Sequence, residues 1–245
     1  EATERHRARR LLLRLAALTG LGLDVSRCGP ALARGSMAKA ALHALGGIEG
    51  LPAVDAVDVA LILSADHELN ASTFAARVAA STGADLYACL SAALATFSGP
   101  SHGGACERVE ALVDEAGSPD RAVEALRSRA LRGDPVPGFG HPLYPDGDPR
   151  VAPMLEAALP LGGARLETLL ALVDAMAALG HPPPTLEVGL VAIRCSLGLP
   201  RGSAEALFAL GRSAGWVAHA LEQRRAGFLL RPRARYVGPT SPSTP

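Results

Sequence analysis

Apolar residues in this chain recur at helical spacing from one end to the other, and no segment sustains the two-residue alternation of a half-buried strand. The clearest case is Asp85 to Phe97, where Leu86, Leu90, Ala93, Leu94 and Phe97 fall on one face. Asp85 stands as the N-cap of that helix and Gly99-Pro100 as its stop. Ser118-Pro119 opens another, with Val123, Leu126 and Ala130 facing inward and Gly133 past its end. Asp148-Pro149 repeats the device ahead of a helix that buries Val151, Met154, Leu155 and Ala158. The next helix places Leu166, Leu169, Leu170, Val173 and Met176 on one face before Gly180. Thr185 and Ser203 are expected to cap the last two long helices, the second running on through Trp216. Aromatic residues make up only 4% of the chain, which leaves a sheet without support, so the expected fold class is all-α.

The 245 residues suffice for one large domain or two modest ones. With 49% hydrophobic residues, 20% charged residues and no formal net charge, the chain belongs with soluble globular proteins rather than disordered ones. Nothing global points to nucleic acid. Arginines gather at the start, in Arg5, Arg7, Arg9 and Arg10, and near the end, in Arg231, Arg233 and Arg235, but runs this short usually mark a solvated face. Cys28, Cys89, Cys106 and Cys195 lack the paired spacing of a zinc or dithiol site, so a reducing, cytoplasmic setting is the expectation. Leu11 to Leu23 is interrupted by Arg14 and reads as a helix rather than a leader, and no apolar run is long enough to span a membrane. The chain starts at Glu1 without an initiator methionine, from which a missing upstream part is expected. The Pro/Ser tail after Gly238 is expected to be disordered.

Three histidines occupy unusual settings: His67 in Asp66-His67-Glu68, His102 in Gly99-Pro100-Ser101-His102-Gly103-Gly104, and His141 in Gly138-Phe139-Gly140-His141-Pro142. The glycines permit close backbone approach to a ligand. His102 precedes a helix whose inward face includes Cys106, Val109 and Val113, and the positive end of that dipole favours a neutral imidazole. Arg150 stands on a first helical turn, where its guanidinium can fork onto a carboxylate. Taken singly, each has an ordinary alternative: a loop histidine is more often a plain hydrogen-bonding residue, and a first-turn arginine a surface charge. A metal site has little behind it, since His67-Glu68 lacks a second histidine one turn on and His102 with Cys106 gives only two ligands.

Together these segments resemble the citrate synthase family. Asp66-His67-Glu68 with Asn70-Ala71-Ser72, Gly99-Pro100-Ser101-His102-Gly103-Gly104-Ala105, and Gly138-Phe139-Gly140-His141 through Asp148-Pro149-Arg150 are similar to three of its signature segments, in the family's order. Gly211-Arg212-Ser213-Ala214-Gly215-Trp216 through His219, and Arg231 through Gly238, resemble its last two.

The resemblance implies an enzyme that condenses acetyl-CoA, or a short acyl-CoA such as propionyl-CoA, with oxaloacetate and hydrolyses the thioester. It implies a homodimer with a large helical domain and a smaller one that closes over the substrates, and neither a permanently bound cofactor nor a metal. The large domain is expected over 1–103 and again over 196–245, with the small domain over 104–195, and the region before His67 is short for the family. By resemblance, His67, His141, Arg150 and Arg212 hold the keto-dicarboxylate, and Arg231 reaches the neighbouring subunit's site. His102 meets the thioester carbonyl as it becomes an enol, and His141 polarises the keto carbonyl. CoA lies along Val136 to Gly138. Glu187 stands where the family's base is an aspartate, and Pro142 and Tyr144 where relatives often carry basic residues. The competing expectations are a regulatory paralogue that binds dicarboxylate or CoA without turnover, and a purely structural helical module.

Overall fold

The computed structural model describes residues 2–238, and within them the all-α expectation holds. Twelve α-helices and four short 3-10 turns account for the regular structure, and no strand forms; the only bridges are Phe139 with Pro184 and His141 with Tyr144. The helices are α1 (Ala2–Leu18), α2 (Cys28–Leu32), α3 (Met37–Ala44), α4 (Leu51–Ser64), α5 (Ala71–Ser81) and α6 (Leu86–Phe97), followed by α7 (Ala105–Ala116), α8 (Ala122–Arg132), α9 (Val151–Ala158), α10 (Ala164–Ala178), α11 (Leu186–Ser196) and α12 (Ser203–Ala226). The tail expected to be disordered lies outside the described residues.

Helix α12 is the axis of the assembly. Its 24 residues extend about 36 Å and run between capping glycines, Gly202 and Gly227, both left-handed. It packs against α4, α5 and α6, and also against α11, α7 and α1, so it is walled in on several sides. Trp216 is fully buried among Ala76, Leu90, Phe97 and Ala220, the heart of the smaller of two apolar clusters. The larger cluster runs from Ala16 and Leu42 through Val109, Met154 and Leu172 to Ile193 and Leu207. Helix α4 is apolar around most of its circumference and packs on α3, α9, α11 and α12, which is why its sequence shows no single stripe.

Several local expectations need correction. Leu94 lies 36% exposed, off the buried face formed by Leu86, Leu90, Ala93 and Phe97. Val123 and Ala130 also face outward, because the buried side of α8 is Ala122, Ala125 and Leu126, a stripe rotated by one position. In both helices the period was legible while the edge of the stripe was not. Ser203 does not cap α12: Gly202 takes the N-cap position, and the Ser203 hydroxyl is buried without a hydrogen-bond partner. Thr185 occupies the N-cap of α11 but its hydroxyl donates to Glu187 instead of accepting from an amide.

Asp85 does cap α6, its Oδ1 accepting from the Ala88 amide at 2.8 Å. Asp85→Ala should therefore lower stability by about 1 kcal/mol in denaturant unfolding, the ordinary value of a lost N-cap. An unchanged midpoint would show that the amide finds water equally well.

Candidate active site

The loop between α4 and α5 presents His67. Its neighbour Glu68 has φ +53°, the only positive φ outside glycine among the described residues, so the chain accepts strain to turn here. Asn70 ends the turn as the N-cap of α5, accepting from the Thr73 amide at 2.9 Å. A second tie holds the loop to α12. Arg77 donates to His219 Nδ1 at 3.0 Å, which leaves the ring proton on Nε2 facing Asp66 Oδ1 at 3.2 Å.

His141 and Arg150 come from the segment between α8 and α9. That segment folds back on the chain entering α11: the Gly140 amide donates to Pro183 O at 2.9 Å, and the Thr185 amide to Gly138 O at 2.8 Å. Gly138 is required at the crossing, with φ +87° and room for no side chain, since a Cβ would meet Val109 Cγ2 at 2.7 Å and Val188 Cγ2 at 2.8 Å. Within the fold-back, His67, His141 and Tyr144 gather with ring centroids 5.2 to 5.5 Å apart. His67 Nε2 shares a hydrogen bond with the Tyr144 hydroxyl at 2.9 Å, and the Arg150 guanidinium lies 5.7 Å over the Tyr144 ring.

Asp148 organises this group. Its Oδ1 accepts from the Arg150 amide at 3.0 Å and Nε at 2.8 Å, and its Oδ2 accepts from Nη2 at 2.6 Å. The Leu186 amide at the start of α11 donates to the same carboxylate. Burial pushes the Asp148 carboxyl up, but the hydrogen bonds from Arg150 and Leu186 and the Arg150 charge outweigh it and hold the group below the ordinary aspartate range.

Arg212 reaches the site from α12. It is only 1% exposed, its Nε donates to Ser64 O at 2.8 Å, and its Nη1 is buried with no partner. Burial lowers its pKa from 12.5 to about 10; Asp66 opposes the shift, and Arg150 adds to it. A base whose folded value is depressed destabilises the fold at every pH below that value. The site therefore stores a desolvated cation without a carboxylate of its own. Burial also lowers the pKa of His67, with the charges of Arg150, Arg212 and His141 acting in the same direction against Asp148. His102 is lowered by burial and then by Arg212. Both rings are neutral at pH 7.

His102 closes a small relay. Trp216 Nε1 can only donate and does so to Ser72 Oγ at 3.1 Å. The single Ser72 proton has two acceptors in reach, Asn70 Oδ1 at 3.0 Å and His102 Nε2 at 2.8 Å. When it goes to His102, the ring's own proton sits on Nδ1 and is free to donate.

The structure thus brings together His67, His141, Arg150 and Arg212, with His102 tied through Ser72 to the first turn of α5, the helix that follows the His67 loop. Glu187 stands half-buried in the first turn of α11, where it holds the Thr185 hydroxyl and its charge acts on the buried Cys106 in the first turn of α7, just past His102. Val136 lines a groove of about 540 Å³ with Phe139, His181 and Pro182, whereas Gly138 packs against Val109 and Val188. Arg231 is not in the group; it lies exposed on the extended segment after α12. Sequence reasoning missed Ser72 as the partner of His102, Trp216 as the donor to Ser72, and Asp148 as more than a cap. Tyr144, which stands where relatives often carry basic residues, packs its ring against His67 and His141. The lone tryptophan in mid-helix was the available signal, because a buried indole N–H needs an acceptor. No helix among the described residues is long and apolar enough to cross a membrane, and no three His, Cys, Asp or Glu side chains among them gather as a metal set.

Residues 1–233 match the family model described as citrate synthase, C-terminal domain. The chain is 38% identical over 204 residues to citrate synthase 2 of Bacillus subtilis, covering 81% of this chain and 55% of that protein. It is 34% identical over 246 residues to 2-methylcitrate synthase of Mycobacterium tuberculosis, covering 97% of this chain and 63% of that one. The chain spans about half the length of the curated relatives it matches most strongly. Among solved structures, a citrate synthase from Thermoplasma acidophilum in ternary complex with carboxymethyl coenzyme A and oxaloacetate superposes with a TM-score of 0.80 at 32% identity, over 100% of this chain and 68% of that one. A citryl-CoA lyase from Hydrogenobacter thermophilus shares the fold at 24% identity, with a TM-score of 0.75 over 88% of this chain and 89% of that one.

Asp148→Asn should cost about 3 kcal/mol at pH 7, the scale of breaking a buried pair. The sign follows from its depressed pKa: the stabilisation is complete above the ordinary aspartate value of 3.8 and is lost as pH falls through the lower folded value. Urea unfolding from pH 7 down to pH 3 should therefore show the two proteins converging only in acid; parallel curves would remove Asp148 from the acid limb.

Proposed function

The chain belongs to the citrate synthase family, and on that premise we propose that it forms the catalytic part of an acyltransferase that condenses acetyl-CoA, or a short acyl-CoA, with oxaloacetate and hydrolyses the product thioester to citrate and CoA. The observation that carries the reading is Arg212, a buried guanidinium with an unpartnered Nη1 beside Arg150 and the neutral His67. Such a group calls for an anion, and a planar carboxylate meets it bidentately. Arg150 keeps one edge on Asp148, which fixes the guanidinium while leaving Nη1 for a second carboxylate. A keto-dicarboxylate suits two arginines with His67 and His141 at its carbonyl.

In this reading Glu187 takes a proton from the acyl α-carbon, and the developing enol oxygen receives a hydrogen bond from neutral His102. The carbon then attacks the keto carbon, whose oxygen His141 protonates, and water releases CoA as the thiol. CoA lies along Val136 to Gly138, with the neighbouring groove taking an apolar or planar part of it. The ligands of the Thermoplasma acidophilum structure, carboxymethyl coenzyme A and oxaloacetate, support this substrate pair. The similarity to a 2-methylcitrate synthase keeps propionyl-CoA as a second acyl donor. The assembly proposed is a cytoplasmic homodimer in which Arg231 enters the neighbouring site, and residues 104–195 form the small domain that closes over the substrates.

A regulatory paralogue is the second reading, favoured by the longer side chain at position 187 and by its hold on the Thr185 hydroxyl. Oxaloacetate-dependent thiol release from acetyl-CoA separates the two. Glu187→Ala should lower kcat by about a hundredfold or more, as loss of a general base does, while oxaloacetate still raises Tm. Binding without turnover in the unaltered protein would establish the regulatory reading instead. Arg212→Leu should abolish the oxaloacetate-dependent rise, which at a hundredfold excess over Kd corresponds to about 2.7 kcal/mol.

A further inference from the structure

A glutamate at position 187 has one more rotatable bond to fix than an aspartate, and a general base works only where its oxygen is held in reach of the proton it takes. Glu187 is half-buried in the first turn of α11, and one bond restrains its carboxylate: the Thr185 hydroxyl donates to Oε2. An ionised carboxylate only accepts, so the hydroxyl proton points at Glu187. No other hydrogen bond reaches this carboxylate among the described residues, which leaves Oε1 open. Cys106 on α7, on which the Glu187 charge acts, is buried and its thiol is pushed well up, first by burial and then by Glu187, so it stays neutral beside the base.

Thr185 is itself held from two sides. It is 5% exposed, its amide donates to Gly138 O at 2.8 Å, and its carbonyl accepts from the Val188 amide at 2.9 Å. Phe139 and Pro184 bridge beside it, so Thr185 ends a short clamp with the segment that holds CoA in the proposed function. Its extended backbone, φ −102° and ψ 172°, suits a β-branched residue, whose hydroxyl then has few rotamers open to it. The helix forgoes a cap for this contact. A threonine oxygen at the N-cap ordinarily accepts a first-turn amide, and this one does not. The Leu186 amide goes to Asp148 instead. Broken local rules of this kind gather at functional positions.

We propose that Thr185 is the positioning residue of the base: by holding Oε2 it aims Oε1 of Glu187 at the acyl α-carbon. The inference rests on Glu187 as the base. In the step it serves, the proton passes from the α-carbon to Oε1, and the C–H electron pair moves into the carbon–carbon double bond of the enolate as the thioester oxygen takes up negative charge beside His102. Thr185 neither gives up nor receives a proton.

Thiol release from acetyl-CoA and oxaloacetate by the whole chain tests this in Thr185→Val, which keeps the branch and both backbone bonds and removes the donor. There kcat should fall by about ten- to a hundredfold, the scale of misplacing a reacting group by up to about an ångström. KM for oxaloacetate should stay within about twofold, as for an interaction used only in the reaction. With acetyl-CoA deuterated at the methyl group, the isotope effect on kcat should be no smaller than in the unaltered protein, because proton abstraction is the slowed step. Thr185→Ser, which restores the hydroxyl, should recover kcat to within about threefold. Where Thr185→Val does not fold, Thr185→Ala against Thr185→Ser makes the same comparison, both lacking the γ-methyl. An unchanged kcat, a loss that falls on oxaloacetate KM, a diminished isotope effect, or a serine variant as slow as the hydroxyl-free one would overturn the proposal. Glu187→Ala separates it from the assignment of the base. If Glu187→Ala is slow and Thr185→Val is not, Thr185 alone loses its role. If Glu187→Ala turns over like the unaltered protein, or the unaltered protein releases no thiol, the base assignment falls and this inference with it. In the Glu187→Ala background Thr185→Val should cost nothing further, since the two act as a unit; a second loss of the same size would place the effect of the hydroxyl elsewhere.

Discussion

The carboxylate of Asp148 is the interaction on which the candidate site depends. It is buried, accepts from both Nε and Nη2 along one edge of Arg150, and also accepts the first amide of α11. One side chain thereby joins the segment that presents His141 to the helix that presents Glu187. The two bonds between Gly138, Gly140 and the 183–185 strand of chain run beside it, so the connection is a clamp rather than a point. Neither half contains enough regular structure to hold its own shape, and a loop of this length in an ordered site needs ties of this kind.

The charge pattern has the same logic. A stable core avoids an unpaired cation, yet Arg212 sits at 1% exposure with an idle Nη1 and a second guanidinium nearby. The fold tolerates this because α12 is wedged among six other helices and has no way to swing the side chain into water. Burial, with the arginine charges adding to it, keeps His67 and His102 neutral, which for a ring meant to donate to a growing oxygen charge is the useful state. Stability and readiness for an anion oppose each other here, and the ligand supplies what the protein omits.

Much of the fold was legible because it is local. Asp85 as a cap, Gly99-Pro100 as a stop and the apolar stripe of α10 all rest on neighbours within a few residues. The errors were errors of facing. The stripe of α8 was taken as Val123, Leu126 and Ala130 although Ala122 and Ala125 are the buried members, because alanine and valine carry too little contrast to fix the edge. In the site, His67, His141, Arg150 and Arg212 were readable from motifs, and the structure brings them together. Asp148 was readable only as a turn residue. Its Oδ1 does accept the Arg150 amide, but the bond to Leu186 requires a fold-back that no local pattern encodes. The bond from Ser72 to His102, and that from Trp216 to Ser72, join α5 to the 98–104 turn and to α12 and are long-range for the same reason.

Helix α12 explains why these distant pieces act as one. Arg212 lies against Ser64 at the end of α4, Trp216 reaches Ser72 on α5, and His219 answers both Arg77 and Asp66. These residues recur every three or four positions and so share one face. The face presents, in order, a cation for a substrate, a donor that fixes the partner of His102, and an imidazole that pins the His67 loop. A helix holds such spacings more rigidly than any loop, at 1.5 Å per residue. The loop segments therefore need only dock onto it, and the geometry of the pocket is set by the element they share.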